Sequence, residues 1–225
     1  MINSAFGDDI IKVLFVLVLG TAAFIITQRA LRSLFTIYTM QSLILALIAA
    51  VLFAQHRTLS LLLIAVLTLA IKAFVIPAFL RRTLVVIPTK RDIEFSYLTP
   101  ASSILLSGVL LFIVYTSFSS VSGQLFSDPL FFLGGVIGVS LVLMGMMVIF
   151  SRKKVISKIV GYLTMENGVL LFGLFIAEMP FIIEVLIVID LLMLTVLSTI
   201  MAFGIDSSIE AFHKKLTELG LRFED

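Results

Sequence analysis

The sequence contains no cysteine and only two histidines in 225 residues. That excludes a protein-ligated iron–sulfur cluster, a thiolate zinc site, a covalent haem and any disulfide. Charge is scarce as well. Only 13% of residues are Asp, Glu, Lys or Arg, against about 25% in soluble domains. The shortfall excludes a soluble enzyme domain, a disordered chain and a nucleic-acid binder. What fills the chain instead is apolar: 60% of residues are hydrophobic, and the mean hydropathy is +1.21. The expectation is an all-α, polytopic transmembrane helix bundle with no redox centre of its own.

Seven spans are predicted, at 10–28, 34–54, 59–80, 101–121, 129–150, 159–177 and 180–203. Each approaches or exceeds the about 20 residues that cross a hydrocarbon core. Arg29 and Arg32 separate the first two, and His56 and Arg57 the next two. A polar stretch over 81–99 precedes span four, and a Ser/Gly-rich turn over 119–129 follows it. Arg152, Lys153, Lys154 and Lys158 precede span six. Glu178 and Pro180 make a tight turn into span seven, with Pro180 suited to the first turn of a helix. Asp8 and Asp9 stand where a signal peptide needs positive charge, so the first apolar run is expected to be a span.

Seven spans place thirteen of the sixteen Lys and Arg on one face. Lys12 and Arg57 are on the other face, and Lys72 is inside a span. The positive-inside rule then predicts N-terminus out and C-terminus in. One interior span more or fewer would scatter the basic loops over both faces. Beyond span seven, Asp206 to Leu219 reads as a short amphipathic helix. Ser207 and Glu210 match a capping box, and Ile209, Phe212, Leu216 and Leu219 form an apolar stripe. Such a helix suits the cytoplasmic headgroup region or a cytoplasmic partner.

A charge at mid-membrane costs about 2.5–3.5 kcal/mol on insertion scales, so the intramembrane charges carry the functional information. Lys72, Glu166 and Asp190 lie deep, with Glu184 nearer the outer end of span seven. Glu178 and Asp128 belong to outer loops. At about 1.5 Å per residue, Lys72 and Glu166 are roughly 12–13 Å above the inner boundary and Asp190 roughly 21 Å. Glu184 is roughly 9 Å further out. The acids therefore read as a staircase, Glu166 then Asp190 then Glu184. Lys72 and Glu166 at matching depth also permit a purely structural pair. A lysine with three graded acids favours a proton relay, each group alternating between charged and neutral forms. Gln41 and Asn167 are the supporting polar groups. Pro77 removes a donor one turn beyond Lys72, leaving the Ala73 carbonyl as an acceptor beside the lysine. Gly134 and Gly138 have the spacing of a close helix contact.

Thr39-Met40-Gln41 in span two echoes Thr164-Met165-Glu166 in span six. Spans one to three and five to seven would run in the same directions, with span four as linker. This suggests a 3+1+3 parallel repeat. The organisation read from it is a three-helix unit over 1–80, a polar loop and linker span over 81–128, a second three-helix unit over 129–204, and a cytoplasmic tail over 205–225.

Gly161-Tyr162-Leu163-Thr164-Met165-Glu166-Asn167-Gly168, with Glu184 and Asp190 on the next helix, resembles the signature of hydrogenase-4 component E. Met40-Gln41-Ser42-Leu43 and the pair Lys72 and Pro77 resemble that family's N-terminal half. The last three spans are also similar to the K-type (4L) subunit of respiratory complex I. The resemblance implies a membrane subunit of a group 4 [NiFe]-hydrogenase or formate hydrogenlyase-type complex in a prokaryotic cytoplasmic membrane. It implies glutamate-based proton translocation, carried by position onto Glu166 and Asp190; the second is a shorter acid than the family pattern. Nickel–iron and iron–sulfur centres are expected in hydrophilic partner subunits and no cofactor in this chain. Antiporter-like subunits are the expected membrane neighbours.

The leading expectation is thus a non-catalytic subunit that translocates H⁺ or Na⁺ within an oxidoreductase complex, through Glu166, Asp190, Lys72 and Glu184. A structural adaptor, in which the same charges only hold subunits together, is the second reading. An independent secondary transporter is the third, and it calls for a broken helix at the site.

Overall fold

A computed structural model describes residues 4–86, 99–125, 129–153, 155–176, 188–193, 195–196 and 199. These residues are almost wholly helical. In chain order the elements are α1 (Ser4–Thr27), α2 (Leu31–His56), α3 (Leu59–Leu67), a π-helical segment (Thr68–Val75) and α4 (Ile76–Val86). Then follow α5 (Pro100–Leu125), α6 (Pro129–Ser151) and α7 (Val155–Ile176). α3, the π-helical segment and α4 join into one rod.

Five helices among the described residues are long and apolar enough to cross a membrane. They are Phe6–Thr27, Leu31–His56, Leu59–Arg82, Pro100–Ser120 and Pro129–Ser151, and match predicted spans one to five. Predicted span six coincides with α7, which carries Glu166 and Asn167. Most of predicted span seven, with Glu184, lies outside the described residues, as does the tail over 205–225.

The bundle reverses the polarity of a soluble fold. Leu105 on α5 is 72% exposed and Phe150 on α6 is 74% exposed, whereas Gln41, Ser42, Lys72, Asn167 and Asp190 are buried. Apolar side chains outside and charged ones inside suit a hydrocarbon solvent, where burial of polar groups is enforced by the bilayer.

Antiparallel α6 and α7 form the tightest pair. A Cβ added at Gly145 would lie 2.5 Å from Met165 N, and one at Gly168 would lie 2.6 Å from Val142 N. Both obstacles are backbone, so no side chain could move aside. The predicted contact at Gly134 and Gly138 is part of this seam, facing Phe175 and Phe172. Small residues let backbones approach where no hydrophobic force drives helices together. Phe175 ends the seam, edge-on to Phe15 at 5.3 Å and Phe131 at 5.8 Å. Residues 161, 165, 168 and 172 share one face of α7, so helical spacing turns Glu166 and Asn167 away from α6, towards α2 and the rod.

Arg152 is counted in the sequence with the basic inner loop, yet it is 1% exposed. Its Nη2 donates to the carbonyls of Ile25 (3.0 Å), Ile26 (3.0 Å) and Gln28 (2.6 Å). These are terminal carbonyls of α1 and its following turn, where a cation meets the negative helix end. One amino group has two hydrogens for three acceptors, so at least one bond is shared. The contact also sets the ends of α1 and α6 at the same level of the bundle.

Candidate functional site: a buried lysine with two carboxylic acids

Three elements bring the charged groups together. α7 presents Glu166 and Asn167, the π-helical segment presents Lys72, and the described part of the last helical stretch presents Asp190. Lys72 Nζ stands 2.7 Å from Glu166 Oε1, with side chains 0% and 2% exposed. Asp190 is fully buried and close enough to Lys72 and Glu166 for both charges to act on it. Neither carboxylate oxygen of the fully buried Asp190 has a hydrogen-bond donor among the described residues.

Amides extend from this cluster. Lys72 Nζ donates to Asn167 Oδ1 at 3.4 Å. Asn167 Nδ2 donates to Gln41 Oε1 at 3.1 Å and, more weakly, to Ser42 Oγ at 3.4 Å. Gln41 Nε2 donates to Thr21 Oγ1 at 3.3 Å, and Thr21 passes its own hydrogen to the Val18 carbonyl at 2.7 Å. Every group in this chain has a fixed direction and it ends on a backbone acceptor. It therefore orients Lys72 and Glu166; it does not shuttle protons, because an amide gives up its hydrogens only at high cost. Gln41 and Asn167 thus stand where the sequence reading assigns supporting polar groups.

Two hydroxyls join the site without any prediction. Tyr38 on α2 is fully buried and close enough to Glu166 and Asp190 to feel both charges. Thr68, on the face of Lys72 one turn earlier, is also fully buried. Neither hydroxyl has a well-formed partner among the described residues, although Ser42 stands beside Tyr38. The signal in the sequence was a polar stripe at helical spacing: Tyr38, Gln41 and Ser42 on α2, and Thr68 with Lys72 in the rod. By contrast, the threonines of the matched triplets turn inward on their own helices, Thr39 to the Phe35 carbonyl and Thr164 to the Val160 carbonyl, both at 2.8 Å.

The rod explains how Lys72 reaches the centre. Within the π-helical segment hydrogen bonds run from residue i+5, and Ile76 N–H reaches the Ile71 carbonyl. Continued one residue further, that register sets Pro77 opposite the carbonyl of Lys72, as α-helical spacing would set it opposite that of Ala73. Proline has no N–H, so this turn beside Lys72 is one backbone donor short. Local π-helix is rare and recurs at functional sites.

The staircase is corrected for its first two steps. Asp190 stands beside Glu166, not a step above it. Counting residues from each inner end gives a height only if spans start level and stand upright, and helix tilt breaks that premise. Glu184 falls outside the described residues. Among the described residues no three His, Cys, Asp or Glu side chains gather as a metal set.

Comparison with protein-family models, curated proteins and solved structures found no match for this chain.

Proposed function

We propose that this chain is a non-catalytic membrane subunit that moves a cation, H⁺ or Na⁺, through Lys72, Glu166 and Asp190. One observation carries the reading: a cation and two acids from three separate elements are buried together in the centre of the bundle. Three ionisable groups there serve packing poorly, since apolar residues of similar volume would hold the helices at lower desolvation cost. Glu184, on the same final span, would continue the path towards the outer face.

The host assembly in this reading is a membrane-bound [NiFe]-hydrogenase or complex I-like oxidoreductase. It rests on the resemblance of Gly161 to Gly168 to hydrogenase-4 component E. Nickel–iron and iron–sulfur centres then reside in hydrophilic subunits, and antiporter-like subunits adjoin this chain in the membrane. Seven spans, N-terminus out, in a prokaryotic cytoplasmic membrane belong to the same proposal. So does the duplicated three-helix unit. Helix boundaries support it: α1 and α6 begin, α1 and α6 end, and α2 and α7 begin about 125 residues apart, the spacing that also relates Gln41 to Glu166.

Glu166→Gln tests the reading. The complex is expected to assemble, and soluble-donor hydrogenase activity to persist, while coupled ion pumping falls at least tenfold. Unchanged pumping removes Glu166 from the path. The structural-adaptor reading draws on the 2.7 Å ion pair and its Asn167 tether. It expects the reverse outcome, poor assembly with normal coupling in the complex that remains. The π-helical turn before Pro77 is the distortion a secondary transporter would need, and activity of the isolated chain in vesicles would favour that reading.

A further inference from the structure

α5 and α6 touch along one half of their length and part along the other. In the first half Tyr115 and Phe132 meet edge-on, with ring centroids 5.9 Å apart. In the second half a furrow of about 320 Å³ lies between Leu106 and Leu110 of α5 and Leu143, Met146, Met147 and Phe150 of α6. Met147 is buried within it, and Leu106, Met146 and Phe150 are exposed on its open side. From Leu143 to Ser151 the furrow runs about 12 Å along α6, close to the roughly 15 Å depth of one hydrocarbon leaflet. Residues 143, 147 and 150 stand on the face of α6 opposite Gly138 and Gly145. The furrow is therefore on the far side of α6 from α7 and the charged cluster.

The polar end of the furrow is Ser151, the last residue of α6. The chain turns basic there, with Arg152, Lys153 and Lys154 in succession, and Lys153 is exposed. Arg152 sets the end of α1 level with the end of α6, so the exposed Arg29 and Arg32 belong to the same end of the bundle. Among the described residues no acid lies at this end. Asp8 and Asp9 are at the opposite end of α1, and Glu166 and Asp190 are interior.

We infer that the furrow binds one acyl chain of an anionic phospholipid, with the lipid phosphate against Lys153. An apolar channel one leaflet deep under a cationic rim matches both parts of such a lipid, and basic residues at a membrane surface favour anionic headgroups. A transmembrane helix, from a partner or a second copy, would need a furrow running the full height of the bilayer. The contact between Tyr115 and Phe132 stops this one halfway. The lipid site stands whether or not the chain moves ions.

The chain has no tryptophan, so a single introduced one reports on its own surroundings. Phe150→Trp and Met146→Trp place that reporter in the furrow, and Leu105→Trp places it on the exposed face of α5. Each full-length variant is reconstituted in phosphatidylcholine vesicles carrying increasing fractions of brominated phosphatidylglycerol or brominated phosphatidylcholine, and fluorescence quenching is followed. Both furrow variants are expected to reach half-quenching at an about fivefold lower fraction of the brominated phosphatidylglycerol, the preference that one basic residue gives an anionic lipid at a membrane surface. Leu105→Trp should show no preference, and Lys153→Glu added to Phe150→Trp should abolish it. Equal quenching by the two lipids in both furrow variants overturns the assignment. So does the same preference in Leu105→Trp, or a preference that survives Lys153→Glu. Protection of both furrow variants from either lipid also overturns it, since a protein segment would then cover the furrow.

Discussion

Asn167 gives its two amide ends to different elements, its oxygen to Lys72 and its nitrogen to Gln41. No other residue type of this size supplies both a donor and an acceptor in a plane. Asn167→Leu would leave Gln41 Oε1 and one hydrogen of Lys72 unmatched inside the bundle, where each orphan costs about 1–3 kcal/mol. Ser42 is only the weaker second acceptor, and interhelical hydrogen bonds in membranes average about 0.6 kcal/mol. Thermal unfolding of the detergent-solubilised chain, followed by circular dichroism, is expected to show a loss of about 3 kcal/mol for Asn167→Leu. The loss for Ser42→Ala should stay below about 1 kcal/mol. Equal losses would mean the amide does not anchor the site. At this scale the sequence was partly legible. Lys72, Glu166 and Asp190 stood out because charge is costly in hydrocarbon. Tyr38 and Thr68 did not, because a hydroxyl in a membrane helix usually satisfies itself on the preceding turn, as Thr39 and Thr164 do here. Arg152 was legible as a basic residue and illegible as a helix cap, since its partners lie over 120 residues earlier in the chain.

At the scale of the element, α-helical periodicity predicted the rods well and their internal register poorly. Span three reads as an uninterrupted apolar helix, and Pro77 marks only where a hydrogen bond is missing. Which carbonyl loses it depends on whether the turn before it is α or π, a choice that apolar periodicity does not reveal. Pro77→Ala restores the donor to the rod. It is expected to raise stability by about 1 kcal/mol, the usual worth of one intramolecular hydrogen bond, and to lower coupled pumping. The paired measurement is chemical unfolding in detergent beside pumping in reconstituted vesicles. A stabilised variant that pumps normally would show that the open carbonyl has no part in transport.

Across the whole molecule, the inside-out distribution of polarity follows from composition, and the placement of five candidate spans follows from the apolar runs between Arg29, His56, Arg81 and Arg152. How helices meet does not follow from those runs. The depth arithmetic set Lys72 level with Glu166, its ion-pair partner here, without deciding that they pair, and it separated Asp190 from them, because heights along the chain say nothing of tilt. The glycine seam has a mechanical consequence. With backbones of α6 and α7 nearly touching, that pair forms one stiff plank, and no lipid chain or water can enter between its halves. Any displacement that parts Lys72 from Glu166 must therefore be made by the rod, or by α6 and α7 moving together. In amide deuterium exchange, α6 and α7 should be the slowest segments, and exchange should begin between Lys72 and Ala78, where the open carbonyl lets solvent compete for the backbone.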